Sequence, residues 1–454
     1  MKKIIILNKQ IQINIDKLIQ NSICVVLLAI LIVIWLKIPI ITTNDSRDFT
    51  IIYLSSTDWR HGNDPYKCDN YHKFWIEANG PPDKIPTWPS LYPICTFPLI
   101  SPLTFFSWPV AKFIWMFVNC LAYISLIILL FSLVDYHVNE LSGIILFGFL
   151  LFFMPVVHAI AMGQPAILAI LFGVLSWRAA ASNRWIGSGI FLALSLSLKL
   201  NLGVIFLGYF IIYRQWKIVR LCLFCLIIII SIGIFKLGVG NFSWISSWIR
   251  NMQIINNEWA INRSVTNSSN IVFLLNLQYP LYKIFYNKLA ANAVPLLLGF
   301  IDFLILLRIY QYNKGLFGNL TMLTTISTIV LISSYHRLAD ASVLVLLIIY
   351  IILAHDTQYR KYSNLLILLL VPFYLPGPRY LEILVGNGTI PSSIATSWWW
   401  NGLVLPYQVY CLLLMSIIMM FLVVTDKRKL FLANKSTTVP GQEERVRGPC
   451  SFTS

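Results

Sequence analysis

Long apolar runs, each bounded by charged or polar residues, recur along the chain from residue 21 to residue 425. A helix crosses roughly 30 Å of hydrocarbon with about 20 apolar residues. By that measure the runs predict membrane segments over 21–43, 109–134, 141–161, 164–182, 186–200, 202–213, 217–238, 289–311, 318–335, 338–354, 363–382 and 402–425. About 12 segments, some short or re-entrant, make an all-α polytopic membrane protein the expected fold class. The pair 186–200 and 202–213 is too short for two crossings, yet Arg184 and Arg214 flank it. Both arginines favour the cytoplasmic side, so this segment is expected to enter, turn near Lys199 and Asn201, and return.

The basic residues orient the bundle. With the N-terminus inside, every short loop on the cytoplasmic side carries Lys or Arg except 135–140, and both termini are cytoplasmic. The long stretches 44–108 and 239–288, with 383–401, then lie on the other side. The Pro and aromatic residues of WPSLYPICTFPLISPLTFFSWP suit short helices along the membrane interface. Residues 1–425 are expected to form one integral membrane domain and 426–454 a disordered cytoplasmic tail.

Composition narrows the class. The chain has 454 residues, 58% hydrophobic and 11% charged, against roughly 25% charged in soluble proteins. A soluble enzyme, a disordered chain and a coiled coil are excluded. The net charge of +16 fits the positive-inside rule, so no nucleic-acid partner is expected. Cys222 and Cys225 are spaced CxxC inside LCLFCLIIII and read as buried small side chains. Cys68 and Cys95 share one polar stretch where a disulfide is allowed if it lies outside the cytoplasm. There is no HExxH, P-loop or DxD, and the six His are dispersed, so no metal or other cofactor is expected.

Polar groups gather on the outer side. NDSRDFTIIY places Asp45 and Asp48 just beyond the first segment, where a low-dielectric wall can raise a carboxyl into the range of a general base. An interfacial cap or a pair with Arg47 is the alternative. His158 and Gln164 flank the turn HAIAMGQPA. Lys199 lies in an apolar hairpin, where an ammonium costs about 2.5–3.5 kcal/mol, so it needs a protein carboxylate or a bound phosphate. SSYHRLAD brings His336, Arg337 and Asp340 together, with His336 and Asp340 four apart on one helical face. Arg337 can pair with Asp340 or bind a phosphate. Convergence of Asp45, Asp48, Gln164, Lys199, His336 and Arg337 on one side points to an active site.

NDSRDFTIIY, GNDPY, LYPICTFPLISPL and MGQPAILAILFGVLSWRAAASNRWIGSGIFLALSLSLKLNLGVIFLGYFIIYRQWK together resemble glycosyltransferase family 87. Its members are polytopic enzymes of the GT-C class that transfer mannose, or in some relatives arabinofuranose, from a polyprenyl-phosphate donor. The chain keeps Gly163-Gln164 and Leu198-Lys199 of the pattern, but has Pro165 and Ala166 before and at the position of a usual Asn, and Asn201 where Pro is frequent. SVTNSSNIVFLLNL and SSYHRLAD are similar to later family segments, so the resemblance reaches roughly residues 44–340.

The resemblance implies a GT-C-type fold and transfer to a hydroxyl of a lipid-linked or envelope glycan. The setting it implies is glycolipid biosynthesis on the non-cytoplasmic side of a bacterial plasma membrane. Asp48, or else Asp45, would be the base. Lys199 and Arg337 would stabilise the departing polyprenyl phosphate, and His336 would sit near the donor phosphate or help bind the acceptor. Gln164, His158 and Tyr53 are candidates for substrate binding. In-line displacement from a β-linked donor would invert to an α-linked product. A transporter or flippase of a lipid-linked saccharide is the alternative, and its polar groups should reach both faces.

Overall fold

The structure, a computed structural model, describes residues 46–82, 85, 88–133, 141–238, 240, 242–255, 274–309, 315–375 and 378–437, together with 26, 29–33 and 35. The stretch before the first long helix yields α1 (Arg47–Arg60), α2 (Tyr71–Glu77) and α3 (Thr96–Ile100). There follow α4 (Trp108–Phe131), α5 (Leu141–Leu151), α6 (Met154–Met162), α7 (Ala166–Ala181), α8 (Trp185–Leu198), α9 (Leu200–Ile212) and α10 (Trp216–Leu237). The second half contributes α11 (Ser243–Ile255), α12 (Gln278–Phe285), α13 (Lys288–Ile309), α14 (Leu316–Ser333) and α15 (Val345–His355). Last come α16 (Arg360–Leu370), α17 (Pro378–Gly386), α18 (Ser392–Ala395) and α19 (Tyr407–Thr437). The described residues are all-helical apart from one antiparallel bridge, Leu274 to Arg337.

Six helices are long and apolar enough to cross a membrane: α4, α10, α13, α14, Leu338–His355 and the first part of α19. A seventh span arises if α5 and α6, bent by 46° across Phe152 and Phe153, are taken as one. The expected count of about 12 is thus not reached among the described residues. Three of the predicted segments exist as helices but are short: α7, α8 and α9 have 16, 14 and 13 residues, which at about 1.5 Å per residue is less than a full crossing. The predicted 363–382 segment is broken. α16 stops at Leu370 and Val371–Phe373 is a 3-10 turn, because Pro372 has no N–H to continue the ladder. Segment 21–43 lies almost wholly outside the described residues. α19 runs on through 426–437, past the boundary expected for a disordered tail, and 438–454 lie outside the described residues.

α7, α8, α14 and α15 form the interior. Ser176 Oγ donates to Ser188 O (2.8 Å) and Ser195 Oγ to Ala169 O (2.7 Å), tying α7 to α8 through small residues. The buried Thr321, Thr324, Thr325 and Ser327 of α14 each donate back to a carbonyl one turn earlier, so no hydroxyl is orphaned. α10 and α13 are peripheral: Phe224, Ile227 and Phe235, and Leu297, Phe300 and Leu304, are exposed, the arrangement that lipid would cover.

The first long polar stretch does not simply lie on an interface. α1 buries Phe49, Ile52, Tyr53 and Leu54, and the Phe49 ring stacks on Trp108 and Trp115 at 5.4 and 5.1 Å. Trp59 Nε1 donates to Gly233 O (2.8 Å), fixing the far end of α1 to α10. Cys68, Cys95, Cys222 and Cys225 are free thiols.

Candidate active site

The site is built where α1 begins, α6 ends and α8 breaks. α6 terminates at Gly163, whose φ of +68° favours glycine. A Cβ there would lie 2.6 Å from Phe49 Cβ, and Trp115 Nε1 donates to Gly163 O at 2.7 Å. The close approach sets the next residue, Gln164, against the first turn of α1. Its carboxamide is used at both ends: Nε2 donates to Asp48 Oδ2 and Oε1 accepts from Lys199 Nζ.

Lys199 stands alone between α8 and α9 in an extended conformation (φ −153°, ψ 94°). Gly203 packs so tightly that a Cβ would fall 2.7 Å from Leu196 Cα, which holds the two helix ends together. Thr96 Oγ1, from α3, donates to Ser197 O at 2.6 Å and satisfies a carbonyl freed by the break. The ammonium is 8% exposed and forms an ion pair with Asp340 Oδ1. Its anionic partner in this structure is therefore a protein carboxylate.

Asp340 lies in the 3-10 turn Leu338–Leu344 that precedes α15 and is buried. Its second oxygen, Oδ2, meets His336 Nδ1 (3.2 Å), Asn201 Nδ2 (3.3 Å) and the Arg337 backbone N–H (3.1 Å). Both oxygens are engaged, so the buried charge is compensated by a cation and by donors. The His336 ring is 0% exposed. Its Nδ1 lies against Asp340 Oδ2, and its Nε2 has no partner among the described residues. Its strand is pinned by Leu275 N–H to His336 O (3.0 Å).

Arg337 Nε donates to the Tyr335 hydroxyl at 2.9 Å, and the charges of Asp48 and Asp340 both act on its guanidinium. Tyr92 is within electrostatic reach of the same three groups. Burial first, then the Asp48 and Asp340 charges, push its phenol well above the ordinary range, so it stays protonated. The arrangement couples one partly buried carboxylate, Asp48, to fixed cations through a single amide. It can accept a proton beside groups that stabilise an anion.

Two further candidates are not among the residues bonded in series from Asp48 to Asp340. Tyr53 follows Asp48 by five residues, about 140° around the helix, and its buried hydroxyl donates to Phe106 O at 2.8 Å. His158 is half-buried on α6, and the bonds joining Asp48 to Asp340 do not run through it. Asp45 lies outside the described residues. Among the described residues no group of three or more His, Cys, Asp or Glu is placed to hold a metal ion. Sequence reasoning passed over Tyr92, although its Tyr-Pro stretch was noted, and took Asn201 only as part of a turn.

No curated protein and no solved structure matches the chain. The model of glycosyltransferase family 87 does, over residues 91–334, a range that holds Tyr92, Gln164, Lys199 and Asn201 and leaves Asp48 and the His336 to Asp340 turn outside it. Since that match spans more than half of the chain and the membrane helices run through it, the chain belongs to glycosyltransferase family 87 and is a membrane glycosyltransferase.

Proposed function

We propose that the protein transfers a sugar, mannose by the resemblance, from a polyprenyl-phosphate donor to a hydroxyl of a lipid-linked or envelope glycan on the non-cytoplasmic side. The observation that carries this reading is the bonded series Asp48, Gln164, Lys199, Asp340, with Arg337 within electrostatic reach of Asp48. Asp48 takes the proton of the acceptor hydroxyl as its oxygen attacks the anomeric carbon. The bond from that carbon to the phosphate oxygen breaks, and its electron pair leaves with polyprenyl phosphate. Arg337 stabilises the growing phosphate charge, which a fixed cation does best in a site with little water. Lys199, already paired with Asp340, orients Gln164 and through it Asp48, while His336 acts as a positioning residue for Asp340. From a β-linked donor, attack opposite the leaving group yields an α-linked product.

Purified protein given polyprenyl-phosphate mannose and a polyprenyl-linked glycan acceptor should form product. Asp48→Asn should lose about 10²–10⁴ in turnover, the usual contribution of a positioned base, while still binding the donor. Normal transfer by Asp48→Asn sinks the base assignment. Reconstituted protein that moves a lipid-linked saccharide between leaflets without transferring sugar would replace the enzyme reading by a flippase.

A further inference from the structure

Tyr92 stands in a segment whose backbone is held at every step. Asn251 Nδ2 of α11 donates to Ser90 O (3.3 Å), Trp248 Nε1 of α11 donates to Leu91 O (3.2 Å), and the Tyr66 hydroxyl donates to Tyr92 O (3.0 Å). The Tyr92 N–H donates to Ser90 Oγ (3.3 Å). Pro93 follows and restricts the Tyr92 backbone to extended conformations. Four residues on, Thr96 is anchored to Ser197 beside the Lys199 break. The segment is therefore fixed relative to both the outer helix α11 and the α8–α9 junction.

The hydroxyl of Tyr92 is treated differently from this backbone. It makes no hydrogen bond among the described residues, and the side chain is only partly buried. Other phenols are already bonded: Tyr66 to Tyr92 O, Tyr71 with Ser55 Oγ (2.6 Å), Tyr53 to Phe106 O, and Tyr335 as acceptor from Arg337 Nε (2.9 Å). A rigidly held phenol with an unused hydroxyl, on a segment tied to the Lys199 break through Thr96 and within electrostatic reach of Asp48, Asp340 and Arg337, has a donor to give to an arriving anion. Asp48 Oδ2 takes Gln164 and both Asp340 oxygens meet other groups, and among the described residues the Tyr92 hydroxyl bonds to neither carboxylate.

We propose that Tyr92 is a further substrate-contacting residue, its hydroxyl donating to a phosphate oxygen of the polyprenyl phosphate that Arg337 holds. This rests on the transfer reaction proposed above. A guanidinium fork takes two of the phosphate oxygens, and the phenol takes another. The bond strengthens as the anomeric carbon to oxygen bond breaks and charge collects on the phosphate. The donor's phosphate is thereby read by one charged and one neutral group on different segments.

The test is Tyr92→Phe, which keeps the ring and removes only the hydroxyl. Turnover with polyprenyl-phosphate mannose should fall about tenfold or more, and inhibition by free polyprenyl phosphate should weaken by a similar factor. KM for the acceptor should stay within about twofold and the pH profile should not move, since the base is untouched. Unchanged inhibition by polyprenyl phosphate overturns the assignment, as does a change confined to the KM of the acceptor. If the wild-type protein forms no product from any polyprenyl-phosphate sugar, the reaction itself is misread. Transfer by the wild type with wild-type inhibition of Tyr92→Phe removes only Tyr92.

Discussion

The two ends of α1 carry the same residue type in opposite circumstances. Asp48, at the start, is bonded to Gln164, which leads to Lys199, and is within electrostatic reach of Arg337. Asp58, near the end, is 1% exposed and is bonded only through neutral amides, Asn70 Nδ2 (2.9 Å) and Asn63 Nδ2 (3.3 Å), both on Oδ1. Its Oδ2 has no partner among the described residues. Burial pushes this carboxyl up to about 6. Asp48 is thus joined to a buried cation through one amide. Asp58, held by amides, spends its oxygen on fixing a turn, here the loop from His61 to Asn70. Sharing one helix, the two acids differ in what is packed against them.

The largest effect that can break this contrast is on activity. Asp58→Asn should retain transfer within about threefold, whereas Asp48→Asn loses about 10²–10⁴, measured as product formed from polyprenyl-phosphate mannose. Comparable losses in both variants would show that the two ends do not divide the work as described. The next effect is on stability. Lys199→Met leaves Asp340 buried without its counter-charge and should cost about 3–5 kcal/mol, read from thermal unfolding of the detergent-solubilised protein. Adding Asp340→Leu should recover most of that stability without recovering transfer. Asp58 has no such cation to lose, and no single Lys or Arg substitution should produce an equivalent loss at its end of the helix.

Part of this was legible in the sequence. Hydropathy places α4, α10, α13, α14 and Leu338–His355 within about three residues of their observed bounds, because burial in lipid and apolarity are one signal. It also marks α7, α8 and α9, which exist as helices shorter than a full crossing, and the break at Lys199 agrees with the entering and returning segment expected over 186–213. It misses the break after Leu370, which a proline imposes within an apolar run. That Asp48, Gln164, Lys199 and His336 come together could be expected from charge topology, but their partners could not. That Lys199 meets Asp340, 141 residues away, depends on which helices touch, as does the insertion of Gln164 between Asp48 and Lys199. Tyr53 shows the limit: it shares a motif with Asp48 but sits on another face of α1.

Smaller than the ion-pair effect is a pH dependence that belongs to Asp58. Its folded-state carboxyl titrates near 6, above the ordinary value near 4, so the folded protein binds this proton more tightly than the unfolded chain. Stability from this group is present in full below about pH 4 and declines as pH rises to about 6, by about 3 kcal/mol over the two units. Above that it is flat. Unfolding followed between pH 4 and 7 should carry this slope, and Asp58→Asn should remove it, since an amide accepts from Asn70 without a charge to desolvate. A slope that survives in Asp58→Asn places the titrating group elsewhere and weakens the contrast with Asp48.

The smallest effect separates two tyrosines rather than two acids. Tyr53, buried on α1, gives its hydroxyl to Phe106 O and packs edge-on against Trp108 at 5.5 Å. Tyr53→Phe removes one neutral hydrogen bond, costing about 1 kcal/mol, which for a chain of this size lowers the melting temperature by about 2 °C. Transfer should be unchanged, because the residue lies about 140° around the helix from Asp48 and its bond is to a loop carbonyl. Tyr92→Phe should behave in reverse, leaving the melting temperature in place while depressing turnover. The same deletion of one oxygen thus reports packing at one site and chemistry at the other. If Tyr53→Phe slows transfer as much as Tyr92→Phe, the face of α1 turned toward Trp108 is coupled to the reaction, and the division of the helix into a chemical start and a structural remainder has to be redrawn.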